Sequence, residues 1–208
     1  KMEVYINPEK NKWQQLLQRP VFDTTSLEEK VSAILKDIKL NGDAAVKKYA
    51  AQFDGVQLNE LKVTDEEIAT AIAIVDDNLK AAIAIAKNNI SKFHEVQKET
   101  ITKVETTTGV VCWRKSIAIN KVGLYIPGGT APLFSTILML GIPARLAKCK
   151  EVILCTPPGT NGKIHPAILF AAQFVGINTI FKIGGAQAIG AMAYGTETIP
   201  RVHKIFGP

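Results

Sequence analysis

From residue 121 onward the chain alternates short apolar β-type segments with helical ones, and every β segment runs into a Gly- or Pro-bearing turn. Residues 122–126 lead into Pro127-Gly128-Gly129, and a helix is expected from about 132 to 148. Residues 151–155 end in Thr156-Pro157-Pro158-Gly159, and the next helix is expected near His165-Pro166, where proline suits a first turn. Residues 179–183 end in Gly184-Gly185 and precede a helix over 186–194; a last strand over 203–206 meets Gly207-Pro208. Four apolar strands joined by helical crossovers imply a parallel sheet with right-handed connections. The turns then gather on the carboxyl edge, where open α/β sheets hold ligands.

The first 120 residues read differently, mainly as helices. Ser26-Leu27-Glu28-Glu29 predicts a capping box, with Val31, Ile34, Leu35 and Ile38 following at helical spacing. Asn41-Gly42 is expected to end that helix, and Asp43 to cap the next, which runs to Phe53. Thr64-Asp65-Glu66-Glu67 predicts a second box, opening one long helix through Ile68, Ile72, Val75, Leu79 and Ile83 towards Val96. Residues 101–108 and 110–115, hinged at Gly109, predict a β-ribbon that serves as a brace or as an arm for another subunit. The expected division is 1–120, helical region plus ribbon, and 121–208, sheet domain.

Charge narrows the partners. The net charge of +6 is scattered, with no Lys/Arg stripe interleaved with aromatics, so a solvated surface is expected rather than a nucleic-acid track. Cys112, Cys149 and Cys155 do not read as a disulfide framework but as thiols of a reducing compartment. No apolar run is long enough to span a bilayer, and residues 1–8 contain no apolar signal segment, so a cytoplasmic protein is expected.

Catalytic groups are sparse. His94, His165 and His203 fall on separate elements without metal-ligand spacing and suit surface or cap roles. Cys155 stands at a strand end with no His or Lys neighbour to activate it. Glu197 is the one carboxylate after residue 151 expected near the edge, as a cap or surface residue. Two positions there suit a ligand. Tyr125 could stack on a ring or hydrogen-bond through its hydroxyl, or simply pack. Gln187 could bind a carboxamide, ribose or phosphate group, or simply start its helix.

The run Val122-Gly-Leu-Tyr-Ile-Pro-Gly-Gly-Thr-Ala-Pro-Leu-Phe-Ser-Thr136 closely resembles histidinol dehydrogenases. So do Ile142-Pro-Ala-Arg-Leu-Ala-Lys-Cys149, Gly184-Gly-Ala-Gln-Ala-Ile189, Ala193-Tyr-Gly-Thr-Glu-Thr-Ile-Pro200 and Val202-His-Lys-Ile-Phe-Gly-Pro208, in the family's order. The resemblance implies a Rossmann-like α/β fold related to aldehyde dehydrogenases, with 1–120 part of a discontinuous domain. It implies an intertwined homodimer and two NAD-linked oxidations of L-histidinol to L-histidine with a bound zinc ion. The family's NAD-contacting Tyr and Gln correspond to Tyr125 and Gln187. Its further NAD-contacting Asn, its Glu-His acid–base pair and its zinc ligands correspond to positions after Pro208. No catalytic or metal residue is therefore assigned within 1–208, and this stretch by itself is expected to be inactive.

Two rivals remain open from the residues alone. One is an aldehyde-dehydrogenase-like enzyme with Cys155 as nucleophile. The other is a non-enzymatic domain that keeps the fold without the chemistry.

Overall fold

The computed structural model describes residues 3–19, 24–129 and 131–208. Four strands form the central sheet: β3 (Lys121–Tyr125), β4 (Glu151–Thr156), β5 (Thr179–Lys182) and β6 (Lys204–Phe206). All pair in parallel, in the order β5-β4-β3-β6. The path steps outward from β3 through β4 to β5, then returns to place β6 on the other side of β3. That reversal is a topological switch point, and it leaves a crevice beyond the carboxyl ends of β3 and β6.

Successive strand residues point to opposite faces, which divides the core in two. Leu154 and Ile180 join one cluster, with α5 (Phe134–Leu146), α6 (Pro166–Phe174) and the helices α3 (Asp65–Ala73) and α4 (Asp77–Glu95) of the first part. Ile153, Cys155 and Phe181 join the other, with α7 (Gly185–Tyr194) and α2 (Thr25–Tyr49). The helices of the first 120 residues therefore pack on the crossover helices of both faces, α2 on α7, α3 on α6 and α4 on α5.

The structure departs from expectation at four points: the start of α2, Asp43, Glu197 and the helix after Thr64. The helix α2 starts at Thr25, after the undescribed 20–23, and no box forms at Ser26; the Thr24 hydroxyl donates to Glu28 Oε1 at 2.7 Å. The backbone does break at Gly42, with φ 49° and ψ −131°, a conformation open to glycine. Asp43, however, does not cap the following turns. Its carboxylate accepts from the Thr196 and Thr198 hydroxyls, while Glu197 Oε2 accepts the Asp43 N–H at 2.8 Å. Glu197 thus belongs to the loop between α7 and β6, at the amino edge of the sheet and away from the ligand edge, because a crossover helix returns the chain to the start of the next strand.

The fourth departure is the single long helix, which is two. The box Thr64–Glu67 forms as expected and opens α3 (Asp65–Ala73). Asp76 then accepts from Asn78 N and Leu79 N and starts α4 (Asp77–Glu95). The local cap at Asp76 overrides the helical spacing that runs from Ile68 to Ile83. Before them, α1 (Lys10–Leu16) lies on the surface, and a π-helical turn, Ala50–Asp54, extends α2. The expected ribbon is present as β1 (Lys103–Thr107) paired antiparallel with β2 (Val110–Trp113), exposed throughout. No described helix is long and apolar enough to cross a membrane.

One further contact positions the site. Leu61–Val63 runs along the outer edge of β5: Lys182 N donates to Leu61 O at 2.7 Å and Val63 N to Ile180 O at 2.9 Å. This covers an open strand edge. Past this antiparallel pairing, Glu67 in the first turn of α3 reaches back to Lys182 at the end of β5.

Candidate functional site

The loops after β3, β4 and β5 converge on Pro157. A Cβ added at Gly128 or at Gly184 would lie 2.6 Å from its ring, so neither loop tolerates a side chain there. On one side of this junction lies a cleft of about 810 Å³. Its walls include Pro127–Gly129 after β3, Thr156–Asn161 after β4, the first turns of α3 and His165 at the start of α6. The cleft has the size of a small-molecule site. His165 is a helix cap, accepting from Ala167 N at 3.2 Å through Nδ1.

Tyr125 and Gln187 do not line that cleft. Each lies beside Gly185, at a neighbouring corner of the same carboxyl edge where the end of β3 faces the start of α7. The Tyr125 hydroxyl accepts the Gly185 N–H at 3.1 Å. A hydroxyl that accepts one bond keeps its own hydrogen to donate. Gly185 itself has φ +57°, and a Cβ there would stand 2.7 Å from Gln187 Oε1.

Gln187 is 1% exposed. Its amide nitrogen donates to Asp54 Oδ2 at 3.3 Å, and its Oε1 is buried with no hydrogen-bond partner. A buried, unpaired amide oxygen costs on the order of 1–3 kcal/mol unless something supplies a donor. NAD carries such donors on its ribose hydroxyls and carboxamide, and the corner fits it on that ground. Zinc has no comparable fit: among the described residues no three or more His, Cys, Asp or Glu side chains come together to hold a metal.

Asp54 is the residue that sequence reading missed. It lies 133 positions from Gln187, at the end of the π-helical turn, and burial raises its carboxyl above the usual range. The pairing of Glu67 with Lys182 was missed for the same reason. Lys182, at the end of β5, is 8% exposed and donates to both Glu67 oxygens at 3.0 and 3.2 Å. No local pattern links residues that distant; only the edge pairing of Leu61–Val63 joins them.

Cys155 is fully buried between the sheet and its helices. Burial drives its thiol far upward, away from the thiolate a nucleophile needs. That geometry removes the support for a Cys-nucleophile enzyme.

Comparison with known proteins gives the family. The histidinol dehydrogenase family profile matches residues 17–208. A histidinol dehydrogenase of Bacteroides thetaiotaomicron is 56% identical over 207 residues, covering 100% of this chain and 48% of the relative. One of Xanthomonas campestris is 48% identical over 195 residues, covering 93% of this chain and 45% of the relative. The crystal structure of histidinol dehydrogenase from Elizabethkingia anophelis superposes with a TM-score of 0.93 at 52% identity, covering 98% of this chain and 47% of that one. The chain spans about half the length of the relatives it matches. On its sequence and its fold alike, it belongs to the histidinol dehydrogenase family.

Proposed function

We propose that this chain supplies the NAD-holding part of an enzyme that oxidises L-histidinol to L-histidine, in histidine biosynthesis in the cytoplasm. The observation that carries the reading is the buried, unpartnered Gln187 Oε1 beside the Tyr125–Gly185 contact. The strand order corresponds to the first four strands of a doubly wound dinucleotide-binding sheet, which supports a Rossmann-like assignment. A dinucleotide straddles such a switch point. The cleft beside Pro157 has room for one half, and the Tyr125–Gln187 corner suits a ribose or carboxamide group.

Bound there, NAD would accept the hydride; this chain's residues hold and orient it. Gln187 accepts a hydrogen bond from the cofactor and Tyr125 donates one. Gly129, with open space where a Cβ would stand, admits close backbone approach. Zinc binding and the acid–base steps are assigned to residues outside this chain, and no step is routed through them here. The exposed ribbon β1–β2 is consistent with a homodimer arm.

Titration calorimetry of NAD into the chain tests the reading. Loss of the Gln187 acceptor in Gln187→Ala should weaken binding about tenfold, the size of a hydrogen bond to a buried group. Equal affinity in both proteins, or no binding to the parent chain, would overturn it.

A further inference from the structure

The amide of Gln187 sits between the Asp54 carboxylate and the backbone of Gly185. Its nitrogen faces Asp54 Oδ2, and its oxygen is left without a partner. The reverse orientation would set amide oxygen against carboxylate oxygen, two acceptors with no hydrogen between them. Asp54 thereby selects one of two nearly isosteric amide orientations. It does so from a fixed place, since it closes the π-helical turn that ends at Gly55 in the left-handed conformation.

The consequence is chemical. Glycine-rich turns at a sheet edge offer backbone N–H donors, which suit phosphate. Here the Gly185 N–H is already engaged by Tyr125, and the next polar atom is an acceptor. An acceptor repels a phosphate oxygen but receives a hydroxyl or amide N–H.

We propose that Asp54 is a positioning residue that holds the Gln187 nitrogen, making Gln187 Oε1 an acceptor for a hydroxyl or amide N–H of the bound nucleotide rather than for its pyrophosphate. The proposal rests on the NAD reading for the identity of the ligand and on the Asp54–Gln187 contact for its polarity.

An isoelectric exchange separates polarity from shape. In the double variant Asp54→Asn/Gln187→Glu, the asparagine nitrogen donates to the glutamate, and the second glutamate oxygen still faces the corner as an acceptor. Calorimetry with NAD should show binding about tenfold weaker for Asp54→Ala, weaker still for Gln187→Glu alone, and within about threefold of the parent for the double variant. A double variant that binds no better than Gln187→Glu alone overturns the assigned polarity.

A second measurement is independent of the cofactor. The side-chain NH2 signals of Gln187, read by 15N nuclear magnetic resonance, should be protected from exchange in the parent chain and lose that protection in Asp54→Ala. Unchanged signals would overturn the role of Asp54 whatever NAD does. Coupled amide signals without any NAD binding would instead overturn the NAD reading and leave the Asp54 role standing.

Discussion

The Tyr125 hydroxyl and the Gly185 amide are 60 residues apart in sequence and 3.1 Å apart in the fold. Their contact ties the end of β3 to the first turn of α7 across the switch point. It presents the remaining hydroxyl hydrogen of Tyr125 at the corner where Gln187 keeps an unpaired oxygen. Tyr125→Phe removes the bond and the donor but keeps the ring. Stability should fall by only about 1 kcal/mol, because the Gly185 amide is exposed and water can replace the hydroxyl. NAD affinity should fall about fivefold to tenfold. Urea unfolding and calorimetry on the same variant check the two numbers.

The three thiols should separate by burial. Cys112 is exposed, Cys149 is half-buried with its thiol pushed upward by desolvation, and Cys155 is fully enclosed with its thiol pushed further. Alkylation with iodoacetamide at neutral pH, followed by peptide mass spectrometry, should mark Cys112 first and Cys155 only after denaturant is added. Rapid marking of Cys155 in the folded chain would restore the nucleophile reading.

Glu67 does two things at once. It completes the capping box with Thr64 and neutralises the buried end of Lys182. Glu67→Gln leaves a nearly buried ammonium without its counter-charge and should cost about 3 kcal/mol. Lys182→Met removes the charge that needs compensation and leaves Glu67, which is partly exposed, free to cap; it should cost clearly less. Urea midpoints of the two variants decide the order.

Asp37 predicts the acid limb of stability. Lys48, Asn41 and Tyr49 all donate to its carboxylate and lower its pKa from 3.8 to about 2. A carboxyl depressed in the folded state stabilises above its unfolded pKa and loses that contribution as pH falls towards the folded one. The contribution should therefore fade between about pH 4 and pH 2. Asp37→Asn should flatten the pH dependence of the urea midpoint in that window and change it little above pH 5; an unaltered acid limb would contradict this.

Much of the scaffold was legible because its causes are local. The alternation of 121–208 follows from apolar runs and their Gly and Pro stops, and the Thr64–Glu67 box from four adjacent residues. Tyr125 and Gln187 were legible as positions, since both stand beside glycine turns. What they do was not. The polarity of Gln187 is set by Asp54, and the Lys182 charge is balanced by Glu67, each across more than a hundred residues of chain. Asp76 shows the same limit at short range. Its cap competes with helical spacing that continues on both sides of Asp76-Asp77-Asn78, and only the packed helices decide between them. Glu197 was misplaced on the edge because a helix-end carboxylate carries no local sign of which end of the sheet it reaches.

The central claim is that the nucleotide lies at the carboxyl edge, across the corner that joins β3 to α7. Titrating NAD into the 15N-labelled chain and mapping the backbone amide shifts tests it most directly. The shifts should concentrate on Tyr125, Pro157's neighbours Thr156 and Gly159, and Gly184 to Gln187. Shifts gathered instead at Asp43 and Thr196 to Thr198, on the amino edge, would contradict it.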